Sequence, residues 1–344
     1  MSILRMGLIG CGRISGKHFE AAEQLENAGF VTCADIIPER AAAAAEKYNL
    51  SSYYTDYHEM LAKEKIDLGV ICAPSGLHPE IGIAVATKKI HVLTEKPMAI
   101  NLKSADELIE TCEANKVHLY VVKQNRLNPT MLLLKNAILK NRFGKIYLVQ
   151  SNVFWQRPQT YYDMADWRGT WQYDGGAFLN QASHYVDALY WLIGPVNSVM
   201  AESATMARKI EAEDTGVALL KFSNGVIGSI NVTMLTYPKN YEGSITVIGE
   251  KGTVKVGGIA LNKIDKWEFE DYDDDDRLLE EANYQPLTVY GSGHLPYYLN
   301  VIESLKGKTN PYTNGRDGRS SLEIILAFYE SVKSGKKINL PLKV

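Results

Sequence analysis

The chain has 344 residues, a formal net charge of −3, 46% hydrophobic and 22% charged residues. That length suits two domains, and the balance excludes a basic nucleic-acid surface. No apolar run approaches the ~20 residues of a membrane span, and MSILRMGLIGCG lacks a signal peptide's apolar core and cleavage site, so a cytoplasmic protein is expected.

The first 122 residues alternate short apolar runs with helical patterns. The runs are RMGLIG (5–10), FVTCADI (30–36), DLGVICA (67–73), IHVLTE (90–95) and VHLYVV (117–122). The helices are expected at Gly16–Ala28, Pro38–Tyr48, Asp56–Ala62, Pro79–Lys88 and Leu102–Ala114. Continuous apolar strands alternating with helices predict a parallel sheet covered on both faces, hence an α/β doubly wound (Rossmann) domain. Cys11, Cys33, Cys72 and Cys112 all fall here without a C-x-x-C pair, so they are expected as reduced, semi-buried thiols, and no metal site is expected.

From residue 123 to 344 the pattern changes to an α+β domain. A helix at Pro129–Lys140 precedes the long strand KIYLVQSNVFWQRP, and a second helix, Phe178–Ile193, stops at Gly194-Pro195. Strands at Ser198–Met206, Thr215–Phe222, Val226–Thr236, Gly243–Ile248 and Gly252–Val256 then alternate apolar and polar residues, with a hairpin turn at Asn224-Gly225. A mostly antiparallel open sheet is predicted. Helices at Leu295–Lys306 and Asp317–Ser334 close this domain. The acidic block EFEDYDDDDRLLEE (268–281) lacks the glycine and spacing of a calcium loop and reads as a solvated loop.

The segment from Gly10 to Ser15, G-x-G-x-x-S, follows the first strand and opens the first helix. Gly10 permits the tight turn, Gly12 lets the backbone approach a pyrophosphate, and Arg13 and Ile14 lead into a helix whose free N–H groups suit an anion. Asp35, 23 residues after Gly12 at the end of the second strand, suits an adenine-ribose diol and would repel a 2′-phosphate. Ile36-Ile37 supplies no arginine, so NAD is favoured over NADP. A flavin fits less well. Pro74, Ser75 and His78 of CAPSGLHPE (72–80) would line the same crevice, although His78 can equally cap the next helix.

Glu95-Lys96-Pro97 ends the strand at 90–95, and His184 lies on the second domain's helix in HYVD. Together with the glycine turn and Asp35, these residues resemble the Gfo/Idh/MocA oxidoreductases over essentially the whole chain. The resemblance implies nicotinamide-dependent oxidation or reduction of sugars and cyclitols. Oxidising a secondary alcohol needs a hydride acceptor and a base for the hydroxyl proton. Lys96 at the strand's carboxyl edge and His184 are the candidates for that base, with the choice between them open. Pro97 would aim Lys96, and the resemblance implies a cis 96–97 bond. Glu95 would orient Lys96 or hold the nicotinamide ribose.

The residue four before the histidine is often aspartate in sugar dehydrogenases of the family; here it is Asn180, which shifts acid–base work to His184 and Lys96 and leaves Asn180 to bind substrate. Two segments narrow the substrate. KQNR contributes Asn125 toward the cofactor and Arg126 toward the substrate, and the aromatic segment 161–178 contributes Tyr162 and Arg168. Aromatic rings stack on sugars and bases, and arginine grips carboxylates or phosphates. Adding GGAFLNQ and YGSGHLPYY, with His294 or Tyr298 reaching the site, the chain resembles the subgroup that oxidises UDP-N-acetylglucosaminuronate at C3′ in surface-polysaccharide sugar biosynthesis. The resemblance implies a keto product used by a PLP-dependent aminotransferase, NADH recycling by 2-oxoglutarate in some members, and a homo-oligomer, expected as a tetramer. Alternatives are UDP-N-acetylglucosamine, a free sugar or an inositol as substrate, or a non-catalytic dinucleotide sensor.

Overall fold

The computed structural model describes residues 3–286, 289 and 291–343; Tyr290, first residue of YGSGHLPYY, lies outside them. The chain divides into two compact units, Met1–Val122 with His294–Ser320, and Lys123–Gly293 with Ser321–Val344.

The first unit begins with β1 (Leu4–Ile9), α1 (Ser15–Ala22), β2 (Ala28–Ala34), α2 (Pro38–Lys47), β3 (Ser52–Tyr54), α3 (Tyr57–Lys63) and β4 (Leu68–Ile71). It continues with α4 (His78–Thr87), β5 (His91–Thr94), α5 (Leu102–Ala114) and β6 (Leu119–Val121). The six strands lie in the order β3-β2-β1-β4-β5-β6 and pair in parallel, the doubly wound arrangement expected. All four residues of β4 are buried, as a central strand covered on both faces requires. Asp56 caps α3 by accepting from the His58 N–H, and Asn101 caps α5 by accepting from the Ser104 N–H. Helix α1 stops six residues short of its expected end because Ala28 pairs with Leu4 in the sheet. Strand β3 escaped notice because it is a three-residue edge strand.

The second unit carries α6 (Pro129–Leu139), β7 (Ile146–Phe154), α7 (Gln159–Tyr162), a π-helical turn at Ala177–Gln181, α8 (Ser183–Ile193), β8 (Val196–Ala204) and β9 (Thr215–Phe222). Then come β10 (Ile227–Thr233), β11 (Glu242–Gly249), β12 (Gly252–Gly257), β13 (Lys263–Phe269) and α9 (Leu279–Ala282). Helix α10 (His294–Leu305) belongs to the first unit, α11 (Gly315–Ser334) runs from the first unit into the second, and β14 (Ile338–Asn339) ends the second. The eight strands order as β13-β12-β11-β7-β10-β9-β8-β14, with only β7 and β10 parallel.

Helical periodicity carries no address, so the sequence pattern put α10 in the second domain. In the structure Tyr297 Oη donates to the Val121 carbonyl at 2.7 Å and Tyr120 Oη bonds Ser304 Oγ at 2.8 Å, tying α10 to β6. The acidic block is a tethered turn rather than a free loop: β13 takes its start through Phe269, Asp273 and Asp276 form a capping box, Lys140 binds Asp273 and Asp275, and Arg142 binds Asp276 at 2.6 Å. Among the described residues no helix is long and apolar enough to cross a membrane.

Candidate active site

The first unit gathers its functional side chains at the carboxyl edge of its sheet. The Cys72 N–H bonds the Ile9 carbonyl at 2.7 Å and the Glu95 N–H bonds the Ile71 carbonyl at 2.9 Å, so the segments after β1, β4 and β5 leave the sheet side by side. This is where strand order reverses and where doubly wound sheets bind ligands. Gly10 has φ +97°, and a Cβ there would stand 2.7 Å from the Cys72 and Ala73 backbone. A Cβ on Gly12 would meet nothing within 4 Å, which leaves the backbone open to a pyrophosphate. Ser15, at the third glycine position, donates its hydroxyl to the Gly12 carbonyl at 2.6 Å and so locks the turn. Ile14 places no side-chain cap on α1, leaving the helix start for an anion, with Arg13 exposed just before it.

Asp35 stands under that turn. Its Oδ2 accepts the Cys11 N–H at 2.7 Å and its Oδ1 accepts the Ile37 N–H at 2.9 Å. Two amides thus fix the carboxylate while each oxygen keeps a lone pair for a diol. Ile36 beside it is 87% exposed and offers no cation for a 2′-phosphate. These residues fit NAD. Pro74 is half-buried and Ser75 buried at the start of the next segment. His78 is 1% exposed, with Nδ1 2.7 Å from the Pro97 carbonyl and Nε2 2.8 Å from the Ala73 carbonyl. Both ring nitrogens are taken, so His78 straps the post-β4 segment to the Lys96 segment rather than facing a cofactor. Burial holds its ring below the usual histidine range.

The Lys96–Pro97 bond is cis. Lys96 is half-buried, and its N–H bonds Glu95 Oε2 at 3.1 Å. Glu95 itself is 5% exposed and points inward, its Oε1 lying 3.0 Å from His18 Nε2 of α1 and 3.8 Å from His294 Nε2 of α10. At 3.8 Å His294 acts through space rather than through a hydrogen bond. His18 Nδ1 bonds Tyr298 Oη at 2.7 Å. Burial pushes the Glu95 carboxyl up, but His18 and His294 outweigh it and hold it well below the usual range. Glu95 is therefore an internal anchor behind Lys96, and His294, expected at the substrate, serves that anchor. Burial lowers His294, with Glu95 opposing. The sequence alone does not single out His18; its position three residues after Ser15, on the inner face of α1, is the one signal it carries.

The second unit holds the other candidates. Asn125 is 3% exposed and Arg126 5%. The Arg126 fork donates from Nε and Nη2 to Asp187 at 2.7 and 2.8 Å, and Lys123 Nζ lies 3.9 Å from the same carboxylate. That bidentate pair ties the segment before α6, where Arg126 was expected to meet the substrate, to α8. His184, the second residue of α8, is 8% exposed. Asn180, on the π-helical turn, donates its amide to Asp174 Oδ1, and Asp174 Oδ2 accepts the Gly169 N–H at 2.7 Å. The acid missing from the histidine helix thus sits beside Asn180 from the preceding loop. Tyr162 is buried, and burial raises its hydroxyl above the usual tyrosine range. The Arg168 guanidinium lies 4.3 Å from the Tyr161 ring centre and 4.8 Å from that of Trp167, and among the described residues it makes no ion pair.

The N-terminal region, residues 4–123, matches the description "Oxidoreductase family, NAD-binding Rossmann fold", and residues 135–340 match "Oxidoreductase family, C-terminal alpha/beta domain". The WlbA dehydrogenase of Bordetella pertussis, solved with NADH and UDP-GlcNAcA, is 52% identical over 99% of both chains, with a TM-score of 0.96. The WlbA enzyme of Chromobacterium violaceum, solved with the same two ligands, is 48% identical over 100% of this chain and 98% of that one, with a TM-score of 0.95. Myo-inositol 2-dehydrogenase of Thermotoga maritima is 27% identical over 98% of each chain. The chain belongs to the Gfo/Idh/MocA oxidoreductase family, an NAD-binding dehydrogenase family.

Proposed function

We propose that this member of the Gfo/Idh/MocA oxidoreductases oxidises the C3′ hydroxyl of UDP-N-acetylglucosaminuronate to a ketone. The carrying observation is the whole-chain likeness, at 52% identity, to an enzyme solved with NADH and that sugar nucleotide. The glycine turn and Asp35 would hold NAD+, which would supply a hydride acceptor for C3′. The hydroxyl proton would go to Lys96 Nζ held as the neutral amine, which becomes an ammonium, while the electrons of the O–H bond form the new C=O bond. Lys96 receives this role because its backbone is fixed at the same sheet edge as the glycine turn. Glu95, His78 and Pro97 hold that backbone; His184 and Asn180 bind the sugar hydroxyls; Arg168, stacked on Tyr161 and without an ion pair among the described residues, takes the uronate carboxylate.

The 3-keto sugar nucleotide is a ketone of the class that a PLP-dependent aminotransferase converts to an amine, a sequence of steps that suits surface-polysaccharide sugar synthesis. Met200, Leu219, Val217, Ile227, Leu148 and Ile248 share one face of the second unit's sheet through cross-strand pairs, and each is 38–54% exposed. An apolar face of this kind suits a second copy of the chain, in a tetramer. Leu219→Asp should lower the mass seen by light scattering at least twofold; an unchanged mass rejects this face as the interface.

The substrate test measures NADH formation with UDP-N-acetylglucosaminuronate, UDP-N-acetylglucosamine and myo-inositol. The uronate should exceed the others by ~100-fold or more in kcat/KM, as expected when an arginine loses its carboxylate partner. Equal turnover of the neutral nucleotide would remove the uronate assignment, and preference for inositol would favour a cyclitol dehydrogenase like the Thermotoga maritima relative.

A further inference from the structure

Glu213 lies just before β9, 3% exposed, and has no role in the chemistry described so far. It meets the amino end of the π-helical turn at three successive amides. The Ala177 N–H donates to the Glu213 main-chain carbonyl at 2.9 Å. The Phe178 N–H donates to Glu213 Oε1 at 2.8 Å. The Leu179 N–H donates to Tyr329 Oη at 3.3 Å, and that hydroxyl donates on to Glu213 Oε1 at 3.0 Å. Gly176, the residue before the turn, carries no side chain to cap it, and a Cβ there would overlap the Glu213 carboxylate. The carboxyl has taken the place of a cap residue.

We propose that Glu213 is a positioning residue that holds the π-helical turn, and with it Asn180 and the start of the His184 helix, in the geometry the reaction needs, and that its ionisation adjusts that geometry. The activity part rests on the dehydrogenase function above. The groups facing Glu213 are Asp174 from the loop before the turn and Tyr329 from α11; its neighbour Asp214 is turned away, to the amides of Met206, Ala207 and Arg208. Among the described residues Glu213 Oε2 has no hydrogen-bond partner. Burial pushes the carboxyl up to about 7, with Asp174 adding to the rise and the Phe178 amide and Tyr329 opposing it. Near pH 7 the group is therefore divided between a neutral acid and a buried carboxylate facing a second carboxylate, Asp174.

Three variants test this in the NAD-loaded, full-length protein. Glu213→Ala removes the cap oxygen, Glu213→Gln keeps it without the ionisation, and Tyr329→Phe removes the hydroxyl that joins Leu179 to Glu213 while leaving the Ala177 and Phe178 bonds to Glu213. Hydrogen exchange of residues 175–184 should speed up ~10-fold or more in Glu213→Ala, less in Tyr329→Phe, and stay near wild type in Glu213→Gln. With UDP-N-acetylglucosaminuronate, kcat/KM should fall ~100-fold in Glu213→Ala, the scale of a small misplacement of catalytic groups. In Glu213→Gln it should stay within about threefold of wild type at pH 7, but its ratio to wild type should change at least threefold between pH 6 and 8. Unchanged exchange in Glu213→Ala, or in Tyr329→Phe if the former does not fold, overturns the cap. A pH-independent Gln-to-wild-type ratio overturns the ionisation. A wild-type protein inert toward the uronate would instead refute the proposed function, leaving the cap to the exchange result.

Discussion

Two buried glutamates make opposite use of the same burial. Glu95, in the first unit, faces His18 and His294 and is held well below the usual carboxylate range. Glu213, in the second, faces amides, a tyrosine hydroxyl and another acid, and is pushed up to about 7. Desolvation acts upward on both; the presence or absence of partners able to carry positive charge decides the outcome. The difference also suits position. A fixed negative charge behind Lys96 anchors the segment that must not move, while an acid near neutrality can adjust a turn.

The largest effect should come from the element Glu95 anchors. Lys96→Met should reduce kcat/KM ~1,000-fold or more while NAD(H) binding, read by NADH fluorescence, stays within about threefold of wild type. His184→Asn should cost ~100-fold. If His184→Asn proves the more damaging and Lys96→Met retains turnover, the base belongs to the second unit and the assignment to Lys96 falls.

Stability against pH should separate the glutamates next. Glu95 has a depressed folded value, so its contribution is present above the unfolded carboxylate range, near 4.5, and is lost as pH falls below it. Glu213 has a raised folded value, so stability is highest below about 4.5, declines as pH rises to about 7, and is then level. Over that window the ionisation costs on the order of 3 kcal/mol. Glu213→Gln should therefore gain Tm relative to wild type between pH 5 and 8, whereas Glu95→Gln should lose most at neutral pH and least near pH 4. Parallel trends in the two variants would break the contrast.

The smallest expected effect lies at the cofactor's far end. Asp35→Ala should weaken NAD binding ~10-fold and narrow the preference over NADP, by calorimetry with each cofactor, as expected for loss of a charge-assisted hydrogen bond. Unaltered preference would leave Asp35 with its structural bonds to Cys11 and Ile37 alone.

Local patterns in the chain announced most of the fold. Helix α5 and strand β9 begin and end where periodicity and capping signals placed them. The features that escaped were short or non-local. Strand β3 has three residues, and α10 shows its helix clearly but not the unit it joins. In the site, the glycine turn, Asp35 and Lys96 carry local signatures: a turn, a strand end and a proline. His18, Asp174 and Glu213 do not, because each gains its role from a partner distant in sequence or across a loop. Arg126 shows how residue type alone does not name a partner. Its residue type suits an anionic ligand, yet the partner it found is Asp187, 61 residues away.

The central claim is hydride transfer from C3′ of the uronate. UDP-N-acetylglucosaminuronate carrying deuterium at C3′, incubated with the protein and NAD+, should yield singly deuterated NADH and a 3-keto sugar nucleotide, both visible by mass spectrometry. Unlabelled NADH, or a product that retains the deuterium, would contradict it.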